Sequence, residues 1–353
     1  MHVLVLAGGE AAEHPISLRS AATVVRALAA GPHRVTVVGI RRDGVWILGD
    51  LGPLLDAART SIVELNGDSE VSGVPVVLAW NGHDTRLVRQ DGKPLDLPAL
   101  DVCFPVLHGP LGEDGTVQGT LALSHLPFVG AHTTAAALAM DKLAMKTLCA
   151  GAGIAQVEHV DATARPDADI AAEVESKFGY PCFVKPANQG SSVGVSKAGS
   201  REELAKGLAE ARLHDRRVLV ERAVDAREIE LAVLGAAPCK ISPPGEVLPA
   251  EGFYDFNSKY VDDTAGLIAP TEVEESALAT MHEIAQRAWE LIDGRGMARI
   301  DFFLERKTGE VLLNEINTIP GFTEISMYPR LWRAAGVETP ELVEQLLRLA
   351  LEE

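Results

Sequence analysis

The chain has 353 residues, and at ~150 residues per domain two or three domains are expected. Hydrophobic residues make up 47% and charged residues 23%, ordinary values for a soluble globular protein, which excludes disorder, a collagen-like repeat or a coiled rod. Lys plus Arg number 32 against 50 Asp plus Glu, a formal net charge of −18, so neither nucleic acid nor an anionic membrane is expected as a general partner. Along the chain, residues 2–6 predict a strand, 18–30 a helix and 34–40 a second strand. A buried strand is expected over 101–106 and a helix over 116–123. Strand–helix alternation of this kind favours a parallel sheet, with ligands gathered at loops 8–17 and 108–115. Further on, 140–152 predicts a helix, 156–160 a strand and 171–178 a helix. Residues 181–185 and 217–221 read as strands, 274–293 as an amphipathic helix, and 298–304 with 311–316 as a hairpin. Residues 340–351 close the chain as a helix, with Thr339 as N-cap and Pro340 at its first position. Domain boundaries are placed near 131 and 221.

Cys103, Cys149, Cys182 and Cys239 form no C-x-x-C pair, which disfavours a zinc ribbon or a dense disulfide framework. Cys103 and Cys182 lie in apolar runs and are expected as buried thiols. The apolar run at residues 3–6 is too short for a signal-peptide core. Residues 115–140 hold no Asp, Glu, Lys or Arg, but Gln118, His125, Pro127 and His132 break the stretch. It is therefore expected as buried α/β structure, and the cytoplasm as the location.

Five groups of residues carry chemistry. Strand alternation puts Arg299 with Asp301 on one face, and Glu315 with Asn317 on one face of the next strand. Two carboxylates and an amide oxygen are hard ligands suited to Mg²⁺; the competing reading is an exposed sheet face with incidental charges. Lys185-Pro186 runs into Gly190-Ser191-Ser192-Val193-Gly194, a loop that can fold over phosphates or simply turn a hairpin; it is not a Walker loop. Lys142 is a second candidate cation. His108 opens a loop with three glycines and two acids after a buried strand. Glu13 follows Gly8-Gly9, and Tyr254 to Tyr260, with Lys259, forms a polar aromatic segment that could serve as a lid. Physics alone does not join the five.

In order, the blocks HGPLGEDGTVQG, AMDK, VKPANQGSSVGVS, YDFNSKY, ARIDFF and LLNEINTIPGFTEISMYP resemble the D-alanine–D-alanine ligase family of the ATP-grasp superfamily, over residues 3–336. The resemblance implies an α/β fold, α+β in its C-terminal half. Its three domains would be 1–130 (an N-terminal parallel-sheet domain with the first D-alanine site), 131–220 (the central part with the phosphate loop) and 221–353 (lid, metal site and second D-alanine site). It implies ATP as cofactor with two Mg²⁺, for which Mn²⁺ can substitute, D-alanine as substrate, and a homodimer. By position it assigns Lys142 and Lys185 to the α and β phosphates and Lys259 to the γ-phosphate. Glu221 would take the adenine amino group and Glu228 the ribose. Gly190, Ser192, Arg222, Val224, Phe303, Asn314 and Glu315 would also contact nucleotide. Asp301, Glu315 and Asn317 would hold the metal. Glu13 would pair with the first D-alanine's ammonium, near His108, with Ser191 and Tyr260 completing a triad that fixes the lid. Arg299 and the Gly321 N–H would hold the oxyanion, and Ser326 the second carboxylate. The implied product is D-alanyl-D-alanine for peptidoglycan precursors, through an acyl phosphate that the lid shields from water. Tyr260 matches a tyrosine that resembling D-alanine–D-lactate ligases lose, which argues for the dipeptide. His14-Pro15, Arg222 and Ala223 depart from the usual pattern. Proline there is expected to stiffen a loop next to the first alanine site.

Overall fold

The computed structural model describes residues 1–66, 73–82, 84–248 and 266–352. It opens with β1 (His2–Gly8), α1 (His14–Ala29), β2 (Arg34–Ile40), β3 (Trp46–Gly49), α2 (Gly52–Ala58), β4 (Gly73–Trp80), β5 (Thr85–Arg89), β6 (Val102–Val106) and α3 (Thr116–Leu123). The strands form one sheet in the order β5-β4-β3-β2-β1-β6. Its heart is parallel as expected, since β1 pairs with both β2 and β6 in that sense, and an antiparallel extension β3-β4-β5 continues it. β1 is buried along its whole length, which accounts for its unbroken run of apolar residues.

α4 (Thr133–Met140), α5 (Lys142–Gly151), β7 (His159–Asp161), α6 (Asp167–Lys177), β8 (Cys182–Pro186), β9 (Ser196–Ala198), α7 (Arg201–His214) and β10 (Val218–Arg222) follow. Their strands make a second sheet, β7-β10-β8-β9. The expected helix over 140–152 is divided at Asp141, whose backbone is extended and whose carboxylate accepts from the Leu143 and Ala144 N–H groups at 3.1 and 3.0 Å. Capping at that point ends one helix and starts the next. The strand expected over 156–160 begins only at His159; Gln156 makes an isolated bridge to Leu313.

β11 (Ala226–Leu234), β12 (Lys240–Ile241), β13 (Gly245–Leu248), β14 (Gly266–Ile268), α8 (Glu275–Leu291), β15 (Met297–Glu305), β16 (Val311–Asn317), α9 (Met327–Ala334) and α10 (Thr339–Leu351) complete the described chain. The third sheet runs β14-β13-β11-β15-β16, all antiparallel, with α8 burying Trp289 against it. Thr339 proves to be the first helical residue of α10 and Glu338 its cap, with no side-chain capping bond; Pro340 still sits in the first turn, where its missing N–H costs nothing. α9 and α10 fold back on α1, so that Tyr328, Trp332, Leu346 and Leu347 share a core with Val3, Val5 and Leu18. That return brings the loops after β1 and β6 against the segment after β16. All four cysteines are buried and free. Among the described residues no helix is long and apolar enough to cross a membrane.

Candidate active site

The loop between β8 and β9 forms one edge of a cleft of about 280 Å³. Lys142, Lys185, Gly190, Ser191, Ser192, Glu221, Arg222 and Val224 line it from the second sheet and its surroundings, and Glu228, Phe303, Asn314, Glu315 and Asn317 from the third. The loop is pinned at its base, where the Asn188 N–H and side-chain amide both donate to Asp215 at 2.8 Å. Ser191 and Ser192 both adopt positive φ, 47° and 61°, so the loop turns tightly without glycine at those two positions.

Two ionic clusters wall the cleft. In the first, the buried Glu221 carboxylate lies between Lys146 at 2.9 Å and Lys185 at 2.5 Å. Although burial opposes ionisation, the two ammonium groups hold the Glu221 carboxyl well below the ordinary carboxylate range. Lys142 donates to the Gln189 carbonyl at 2.8 Å, and burial draws its ammonium down from the usual lysine value. In the second cluster, Arg299 forks onto Asp301 with two contacts of 2.7 Å and reaches Glu230 at 3.1 Å. Across the strands Asp301 faces Glu315 and Arg299 faces Asn317, whose amide donates to Asp301 at 3.0 Å. The β15–β16 pairing shifts register after Asp301, and the extra residue, Asn314, turns toward the cleft beside Glu315. Arg299 and Asp301 sit one strand farther in, behind Glu315 and Asn317.

Glu13 lies at the junction with the first sheet. It is buried, and its carboxyl is pushed up by burial and by the neighbouring Glu113, against a hydrogen bond from Ser191. Two glycines give it room. A Cβ on Gly109 would stand 2.5 Å from one Glu13 oxygen, and a Cβ on Gly190 2.9 Å from the other. His108 donates from Nδ1 to the Ile319 carbonyl at 3.0 Å, and its Nε2 accepts from the Ser20 hydroxyl at 3.1 Å. The Phe322 N–H donates to that same hydroxyl at 3.1 Å. Beyond it, Ser326 Oγ accepts from the Thr323 N–H at 3.1 Å, and a Cβ on Gly321 would meet that oxygen at 2.9 Å, so Gly321 and Ser326 face each other closely. Lys259 and Tyr260, with the rest of the expected lid, lie outside the described residues.

The His14-Pro15 departure has a structural role. Pro15 occupies the first turn of α1, which starts four residues earlier than expected, so it belongs to the helix rather than to a stiffened loop. His14 Nδ1 donates to the Gly9 carbonyl at 2.6 Å, while its Nε2 accepts from the Leu65 N–H at 2.9 Å.

Two family models, described as D-ala D-ala ligase N-terminus and C-terminus, match residues 2–131 and 148–348. The chain belongs to the D-alanine–D-alanine ligase family. The D-alanine–D-alanine ligase of Bacillus cytotoxicus is 43% identical over 352 residues, covering 98% of this chain and 94% of its own. That of a Thermoanaerobacter strain (X514) is 41% identical, covering 99% and 96%. Among solved structures, the D-alanine-D-alanine ligase from Coxiella burnetii superposes with a TM-score of 0.85 at 32% identity, covering 100% of this chain and 94% of that one. The VanG D-Ala:D-Ser ligase from Enterococcus faecalis gives 0.84 at 30%, covering 99% of each. As an ATP-dependent ligase family with divalent-metal use, it fits a cleft with cations on one side and hard oxygen donors on the other.

Sequence reasoning missed two members of the ionic clusters beside the cleft. Lys146 lies one helical turn after Lys142, and that spacing was the available signal. Glu230 alternates with Glu228 in an otherwise apolar stretch of β11, which puts both acids on one strand face.

Proposed function

We propose that this protein joins two D-alanine molecules into D-alanyl-D-alanine, converting ATP to ADP and phosphate. The observation that carries the reading is the close approach of the phosphate-side loop to Glu13, where a Cβ on Gly190 would stand 2.9 Å from a Glu13 oxygen, because it ties that loop to the acid that would receive an amino acid's ammonium group. Activation of one small zwitterion at a nucleotide's terminal phosphate needs those two loops in contact.

In this reading the Glu13 carboxylate binds the ammonium of the first D-alanine, next to His108, and Ser191 with Tyr260 fixes the lid over it. Lys142 and Lys185 offset the phosphate charge, and Lys259 adds a third cation from the lid. Lys185 can serve the phosphates only by loosening its hold on Glu221, and Lys146 then remains as that acid's counter-charge. Glu221 takes the adenine amino group and Glu228 the ribose, with Gly190, Ser192, Arg222, Val224, Phe303, Asn314 and Glu315 completing the nucleotide contacts. Asp301, Glu315 and Asn317 suit two Mg²⁺, or Mn²⁺ in their place; the Asn317 amide, donating its N–H to Asp301, presents its oxygen as the remaining ligand. Bound there, the metal supplies charge neutralisation where a carboxylate meets the terminal phosphate.

A D-alanine carboxylate oxygen attacks the γ-phosphorus and ADP leaves. The amine of the second D-alanine, held through its carboxylate by Ser326, then attacks the acyl carbon. Arg299 and the Gly321 N–H hold the tetrahedral oxyanion, and phosphate departs with the C–O bond electrons. The chain is organised as three domains, 1–130, 131–220 and 221–353, works as a homodimer in the cytoplasm, and feeds peptidoglycan synthesis.

The test is a phosphate-release assay across D-amino acids, with products identified by mass. Release that depends on D-alanine, with the D-alanine dipeptide as main product, is expected. Preference for D-serine or D-lactate as second substrate would overturn the substrate assignment; no release with any D-amino acid would overturn the ligase reading.

A further inference from the structure

We propose that Glu230 is a positioning residue for Arg299, holding the guanidinium in place when a divalent cation claims Asp301. The inference rests on the ligase reading above.

It starts from a conflict within the site. Asp301 accepts two hydrogen bonds from Arg299 and one from Asn317, and it is also a proposed metal ligand. A dication at that carboxylate competes with the guanidinium for the same oxygens and repels it. With Asp301 as its only anchor, Arg299 would be released at the moment an oxyanion has to be met. The structure supplies a second anchor. Glu230 is the antiparallel partner of Asp301 across β11 and β15, and its Oε2 is 3.1 Å from Arg299 Nε. It lies on the opposite side of Asp301 from Glu315, with β15 between their two strands. A metal shared by Asp301 and Glu315 therefore leaves Glu230 to the guanidinium. With only 8% of its surface exposed, it is also shielded from the water that would weaken the pair.

Charge counting agrees. One guanidinium among Glu230, Asp301 and Glu315 leaves two negative charges over, so the cluster can draw divalent metal while the guanidinium keeps a carboxylate of its own. Without Glu230, Arg299 would have to share Asp301 with the metal, and the repulsion would push it away. A side chain that must stabilise charge in a transition state has to be in position beforehand.

The experiment uses the full chain and D-alanine-dependent phosphate release. In Glu230→Gln, which keeps the shape but removes the charge, turnover should fall by about tenfold, with KM for ATP and for D-alanine within about twofold of the parent. In an Arg299→Ala background, Glu230→Gln should cost nothing more, because its effect passes through the missing guanidinium. Unchanged turnover in Glu230→Gln, or losses that multiply in the double variant, would overturn the proposal. Should Glu230→Gln fail to fold by circular dichroism, Glu230→Asp is read in its place, since it keeps the charge but draws it back by one methylene. Reduced turnover at unchanged KM is again expected, and parental turnover overturns the proposal. A parent enzyme without D-alanine-dependent release would sink the ligase reading and this inference with it, whereas an active parent with an indifferent Glu230 sinks this inference alone.

Discussion

The two walls of the cleft solve the same problem with opposite signs. On one, a carboxylate sits between two ammonium groups, Glu221 between Lys146 and Lys185. On the other, a guanidinium sits between two carboxylates, Arg299 between Glu230 and Asp301, with Glu315 facing Asp301. Burying single charges is costly, and a simple ion pair would leave each wall neutral. A three-membered cluster satisfies the central group and leaves one excess charge. In the proposed reading the walls offer positive charge to phosphates and negative charge to a metal, within a chain whose net charge of −18 would otherwise repel a nucleotide. Polarity is built locally, from a few buried side chains, and not from the composition of the whole.

The hardest test of that contrast is to remove the centre of the negative wall. Arg299→Ala should lower turnover by ~10²-fold or more while KM for ATP changes little, by analogy with loss of an oxyanion donor. Steady-state kinetics check it, and near-parental turnover would reduce Arg299 to a structural counter-ion. On the positive wall the expected effect is smaller and falls on binding. Lys146→Met leaves Glu221 with Lys185 as its remaining partner in the cluster, so Lys185 is held more tightly and is less available to phosphate. KM for ATP should rise by about tenfold with KM for D-alanine unchanged. An ATP KM that does not move would mean that the wall works with one cation.

Between the walls, Glu13 links charge state to pH. Burial and Glu113 lift its carboxyl above the ordinary range, so its proton is lost later as pH rises. In the role proposed for Glu13 the ionised form pairs with an ammonium, hence KM for D-alanine should climb as pH falls through a value above the usual carboxylate range. Glu113→Gln removes the repelling charge, and the acid limb should move to lower pH. A pH profile of KM for D-alanine measures both, and a limb indifferent to Glu113 would dissociate the two acids.

How much of this was legible depends on what holds each element. β15 and β16 were plain, because alternation there is enforced by a buried face under Ile300 and Phe302. α3 was equally plain, lying between a glycine turn and a polar stop. The pair β4 and β5 was not, since Pro75 interrupts the run and Val77 and Trp80 are left exposed, so no clean polar face marks the strands. α7 was overlooked although Ser200 and Glu203 have capping-box spacing; the Glu203 N–H donates to the Ser200 hydroxyl, and the Glu203 carboxylate accepts from the Gly199 N–H, one residue before the cap. In the site, residues whose chemistry is visible alone, such as the Glu315–Asn317 face or the glycine loop, stood out. Lys146 and Glu230 did not, because a helix lysine and a strand acid become informative only when packing across sheets pairs them. Asp301 was read as a ligand; that it also serves as Arg299's anchor is a tertiary fact.

His14 offers the smallest effect and a contrast with both walls, since it is a buried polar group satisfied without charge. Nδ1 donates to Gly9 and Nε2 accepts from Leu65, a pattern only the neutral ring can make, and burial lowers its pKa from the usual histidine value. The unfolded chain therefore binds this proton at a higher pH than the folded one. Stability from His14 is fully present above about pH 6.5 and is lost as pH falls from there through the lower folded value. A single proton limits that slope to ~1.4 kcal/mol per pH unit. Urea midpoints across that window should decline in the parent, and His14→Gln, which cannot titrate, should be less stable at neutral pH but flatter. If the variant shows the parental slope, the acid sensitivity belongs to other groups, and the loop after β1 is held by geometry alone. If the slope vanishes, the rim of the first amino-acid site relies on a neutral ring where the two walls rely on clustered charge.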